Sequence, residues 1–83
     1  MSAWELSNDA VFRGKAKQAL AKQMLDLATN GSDEEKANAR RYLSNIVFVM
    51  DQLIPLVCAA GVDSTSNDAT IEKAALTVLK AGI

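Results

Sequence analysis

The run Asn30-Gly31-Ser32-Asp33-Glu34-Glu35 constrains this chain more than any other feature, because it holds a helix stop and a helix start back to back. Asn and Gly are the residues that most readily take the left-handed backbone conformation closing a helix. Ser32 followed three residues later by Glu35 is a capping box, in which each side chain satisfies the other's free main-chain N–H. Asp33, Glu34 and Glu35 also place carboxylates at the positive end of the helix dipole. Two helices joined this tightly fold back on each other as an antiparallel hairpin.

The remaining punctuation divides the chain into three helical segments within one domain, residues 1–83. The first is expected to start after Ser7, with Ser7 as cap and Asp9 in the first turn, and to run to about Thr29. The second starts at Ser32. It ends near Leu53 or kinks at Pro55 and runs on to Ala60, because proline removes the bond to the Asp51 carbonyl. Gly61 then closes it. Thr65-Ser66-Asn67-Asp68 is a second box-like start, and the last helix runs to about Ala81 with Gly82 beyond. Ser-Asn-Asp-Ala stands at both 7–10 and 66–69, read as a shared cap. No stretch alternates as a strand would. The expected fold is all-α: a small bundle of three helices, four if the second breaks at Pro55, with that long second helix at its centre.

Helical spacing assigns the core. Phe12, Ala16, Ala19, Leu20 and Leu27, with Met24 at the edge, form the stripe of the first helix. Ala39, Leu43, Ile46, Met50, Leu53 and, if the helix continues, Val57 form the stripe of the second, widened by Tyr42, Val47, Val49 and Ile54, with Leu43, Ile46 and Met50 expected at the core centre. Ile71, Ala74, Ala75, Val78 and Leu79 serve the last helix, with Ile83 beyond. Phe48, Leu25, Leu76 and Trp4 fall off these stripes. Phe48 is expected to face outward beside Arg41, Ser44 and Gln52. Several unburied apolar side chains on so short a chain point to a protein–protein surface.

The residue inventory argues against an enzyme. There is no histidine, so the commonest general base and metal ligand is missing, and a Ser-His-Asp arrangement cannot be built. The four glycines are isolated and make no phosphate loop. Asp51 has no second carboxylate at helical spacing, and the Asp33-Glu34-Glu35 cluster reads as capping, not as a metal site. No cofactor is implied. Cys58 lies in an apolar run and reads as a small buried hydrophobe, a reduced thiol suited to an intracellular site of synthesis. A net charge of −1 offers nucleic acid no attractive field, despite Arg40-Arg41 and the basic side of the first helix. Asp51 interrupts the apolar stretch 46–62, which argues against a membrane span. The opening Met1-Ser2-Ala3-Trp4-Glu5 lacks the features of a secretory signal.

Three segments carry a likeness to known proteins: Asn8-Asp9-Ala10-Val11-Phe12-Arg13-Gly14-Lys15, Ala39-Arg40-Arg41-Tyr42-Leu43, and Ser66-Asn67-Asp68-Ala69-Thr70-Ile71-Glu72. Together they resemble a family of small helical proteins of unknown function from the capsid and head–tail gene modules of tailed phages. The resemblance implies a non-enzymatic structural or assembly protein, such as a minor capsid, neck or head–tail component. Its partners would be other virion proteins or copies of itself, as a homo-oligomer, in the virion or host cytoplasm. The competing expectation is a small intracellular regulator that masks a host or phage protein. Phe48, Leu25, Leu76, Trp4 and Arg41 are the candidate interface residues.

Overall fold

A computed structural model describes residues 2–82, so Ile83 lies outside the described residues. Among the described residues the fold is all-helical, but with five helices: α1 (Ala3–Ser7), α2 (Ala10–Asn30), α3 (Asp33–Ser44), α4 (Ile46–Cys58) and α5 (Asp68–Ala81). The radius of gyration is 11.9 Å, close to the ~12 Å expected for a chain this long packed as one body.

The additional helix α1 is capped where the sequence carries a second Ser-x-x-Glu. Ser2 Oγ accepts from the Glu5 N–H at 3.1 Å, and Glu5 Oε1 accepts from the Ser2 N–H at 3.4 Å. Ser7 is therefore not a cap but the last residue of α1, its hydroxyl donating to the Trp4 carbonyl. The cap of α2 is Asp9, which accepts from the Phe12 N–H at 3.0 Å. At the second Ser-Asn-Asp-Ala the cap moves one position earlier, to Asn67, which accepts from the Thr70 N–H. Thr65 and Ser66 belong instead to the preceding turn, both bonded to Asp63 Oδ1.

The second expected helix is two. It breaks at Asn45, not at Pro55. Asn45 leaves helical geometry at φ −134°, its N–H turning to the Tyr42 carbonyl at 3.2 Å. Ser44 competes for main-chain partners beside it, donating to the Arg41 carbonyl. Pro55 sits inside α4 without ending it, because its ring faces solvent while Leu53, Ile54, Val57 and Cys58 anchor the opposite side.

This break changes the centre of the molecule. The 21-residue α2, not the expected second helix, contacts all four others, most extensively α3 and α5. Its own stripe is buried as expected from spacing, and so is that of α5. On the other side of the break the expected stripe is buried in the second half of α4 but open at its first turn. Leu43 and Ile46 are only partly buried, and Val47 is 80% exposed. Met50 is buried, but the centre is Leu53, Ile54 and Val57, packed with Leu6, Leu20, Met24 and Ile71. Cys58 is buried, and that burial pushes its thiol pKa upward.

Gly14 lies within α2, exposed, with open space where a Cβ would stand. Glycine inside a helix costs ~0.5–1 kcal/mol relative to alanine. Gly14→Ala is accordingly expected to raise the thermal midpoint by that free energy, with unchanged helicity by circular dichroism.

The capping box of α3 also predicts an acid limb. The Ser32 main-chain N–H donates to Glu35 Oε1 at 2.9 Å, and this bond, helped by the Ser32 hydroxyl and by Lys80, holds the Glu35 pKa below its ordinary value. A carboxylate with a lowered folded pKa stabilises the fold above its unfolded pKa of about 4.3 and ceases to as pH falls through the folded value. The melting temperature should therefore fall on acidification below about pH 4.3, less steeply in Glu35→Gln. Parallel acid limbs in the two proteins would contradict this linkage.

Candidate functional site

The chemistry of the surface is best built from α4 outward. Helical spacing and the anchoring of Leu53, Ile54 and Val57 turn the other side of α4 to solvent: Val47, Phe48, Asp51, Gln52, Pro55 and Leu56 are all exposed. Phe48 is 57% exposed, and Leu56 remains open as well. Four of these six side chains are apolar. The only charge among them, Asp51, is met by Arg13 of α2 at 3.4 Å, and the same guanidinium donates to the Ser7 carbonyl at 2.7 Å. Arg13 thus ties α1, α2 and α4 together at the edge of this face. As an exposed pair it adds at most ~1 kcal/mol of stability.

Val47 and Phe48, adjacent in sequence, stand on either side of the α4 ridge. Val47 borders a shallow apolar cleft against α2, with Ala21, Ile46 and Met50 in its walls and Lys17 at its rim. Phe48 borders a second hollow against the end of α3, with Arg41, Tyr42, Ser44 and Gln52. Arg41 is held over the Tyr42 ring at 5.9 Å and donates to Asn38.

The expected interface residues do not form one patch. Phe48 and Arg41 share the hollow just described. Leu25 is 57% exposed but opens on a separate hollow bordered by Lys22, Asp26 and Glu72. Trp4 is 75% exposed on α1, while Leu6 of the same helix fills the core. Leu76 is not a surface residue in the expected sense. It is partly buried against the core, because it lies on the flank of α5 that α2 covers; Glu72 on that flank pairs with Lys22 of α2 at 2.9 Å. Val47, expected within the widened core stripe, is exposed, and so are Val11 and Leu56, which the stripes did not assign. Val47 was an edge position of the widened stripe, at the first turn of α4, and Val11 stands on the outward side of α2.

Among the described residues, no three His, Cys, Asp or Glu side chains lie close enough to hold a metal ion. No helix there is long and apolar enough to cross a membrane. No family model matches the chain, and no curated protein or solved structure matches it either.

Proposed function

We propose that the protein is a non-enzymatic structural or assembly component of a tailed-phage particle, working through protein–protein contacts made by the outward face of α4. The observation that carries the contact reading is Phe48: an aromatic side chain more than half exposed, ringed by Arg41, Ser44 and Gln52 on a helix otherwise anchored in the core. Aromatic groups within a polar rim are the usual make-up of an interface hot spot. Covering Phe48 would supply ~1.5–3 kcal/mol from apolar area alone, enough for a weak contact that is repeated many times. The phage assignment draws on the three segments that resemble capsid-module proteins.

Two measurements test this reading. Mass spectrometry of purified particles should find the chain in stoichiometric amount; its absence there, with one soluble target in pull-downs, would favour the regulatory reading instead. Phe48→Ser should leave the circular dichroism and melting temperature nearly unchanged while abolishing incorporation or partner binding. Joint loss of fold and binding would make Phe48 a structural residue.

A further inference from the structure

We propose that Asn45 is a hinge at which α3 and α4 straighten into one helix, so that two copies of this chain exchange α4 and α5 in a domain-swapped dimer, independently of what the outward face of α4 binds. Ala39, Leu43, Ile46, Met50, Leu53 and Val57 follow one another in alternating steps of four and three. That is the repeat of one continuous helix seam, and it runs through Asn45 without a gap. The structure nonetheless breaks there, and the break is poorly sealed. Ser2, Asp9, Ser32 and Asn67 each accept from a main-chain N–H of the helix they start, whereas Asn45 makes no side-chain bond to α4. Among the described residues, no main-chain hydrogen bond runs from a residue after Asn45 to one before it. Straightening supplies those bonds, with the N–H groups of Ile46, Val47 and Phe48 donating to the carbonyls of Tyr42, Leu43 and Ser44. Short connections of this kind are where swapping starts.

One copy alone cannot hold the straight helix. From Asp33 to Cys58 it is about 39 Å long, against about 32 Å for α2, the helix on which both halves pack. Its far half leaves the core of its own chain and takes α5 along, since α4 and α5 pack on each other. A second copy opened at the same point repairs both losses. Its α4 and α5 fill the place left against α1 and α2, so Leu6, Leu20 and Met24 are covered again by a Leu53, Ile54 and Ile71, now from the other copy. Every surface in this exchange is already complementary, because it is an internal surface of the closed monomer; that is what makes the partner a second copy of this chain. The Lys22–Glu72 pair at 2.9 Å and the Lys80–Glu35 contact at 3.9 Å join opposite sides of the hinge, so both pass from within one chain to between two. The two hinges adjoin at the twofold axis, where Leu43, Ile46 and Val47, left partly or largely in water by the break, gain cover. The closed monomer loses no freedom of movement to association, so the swap is a high-concentration state.

The test refolds the full chain at millimolar concentration as an equal mixture of isotopically light and heavy copies, then separates monomer from dimer by size. Zero-length carbodiimide coupling next joins amines to carboxylates already in contact, Lys22 to Glu72 foremost. In the dimer the coupled peptides should include light–heavy hybrids; in the monomer every coupling should stay within one chain. Asn45→Ala, which favours the helical state at the hinge of both copies, should raise the dimer association constant roughly tenfold. Ile46→Pro should hold the chain monomeric, because proline suits the first position of α4 but its ring clashes with the Tyr42 carbonyl in a continuous helix. A parent chain that stays monomeric, or an Asn45→Ala chain no more dimeric than the parent, overturns the proposal. So does a dimer without hybrids, which is an association of closed monomers and leaves the reading of the α4 face standing. Should Ile46→Pro lose its helicity by circular dichroism, the hybrids in the parent dimer decide alone.

Discussion

Leu53→Ala is expected to destabilise the fold by ~2–5 kcal/mol, as other large-to-small changes in a closed core do. A domain of this size has only about 4–12 kcal/mol in all, so the variant should be partly unfolded at moderate temperature. The reason lies in how α4 is held. Asn45 precedes it without a side-chain cap bond, and Pro55 removes a main-chain bond from its interior. Packing therefore carries most of its stability, and Leu53 is fully enclosed at the centre of that packing. Ile46→Ala, which trims a side chain already partly in water, should cost only ~1–2 kcal/mol. Denaturant midpoints at unchanged m-value compare the two directly. A larger loss for Ile46→Ala would return the core centre to Leu43, Ile46 and Met50 and contradict the partial exposure of Ile46.

That contrast shows where the fold was legible in the sequence and where it was not. In α2 and α5 a single unbroken helix imposes one phase, so counting in steps of 3.6 finds Phe12, Ala16 and Leu20, or Ile71, Ala75 and Val78, without error. Between Ala39 and Val57 the same counting runs through a discontinuity. Asn45 abandons helical geometry without glycine or proline to announce it, so one expected helix becomes two, although Met50, Leu53 and Val57 keep their expected place in the core. Ser44-Asn45 was the available signal, two residues whose side chains compete with main-chain bonding, and Pro55 drew attention away from it. The five residues of α1 are too few for periodicity to register, although Ser2 and Glu5 spell the same box as Ser32 and Glu35.

The candidate surface was legible only in part. Phe48 lies opposite the core side of α4 and stays outside as its spacing predicts. Val47 lies at the edge of the widened stripe, in the first turn of α4, and stands in solvent. Leu76 moved the other way, since spacing along α5 cannot reveal how far α2 covers its flank. Single-helix periodicity thus decides a residue at the middle of a face and leaves those at its edges to tertiary packing.

The α2–α3 turn gives the second large effect, and its cause differs from the one its sequence suggests. Asn30-Gly31 reads as a left-handed helix stop, yet Gly31 has φ −75°, an angle open to any residue. What excludes a side chain is space. A Cβ at Gly31 would stand 2.6 Å from the Leu27 carbonyl oxygen and 2.9 Å from Glu35 Cβ. The first neighbour is main chain and already accepts from the Gly31 N–H at 3.0 Å; the second belongs to the capping box that starts α3. Neither can retreat without loosening the end of α2 or the start of α3. Gly31→Ala should therefore cost ~1–3 kcal/mol, the range for forcing atoms into a filled site. Gly31→Asn separates the two explanations, because asparagine tolerates left-handed geometry far better than alanine but carries the same Cβ. Equal drops in thermal midpoint for the two variants are the expected result, and a markedly milder effect of asparagine would mean that the turn is left-handed after all.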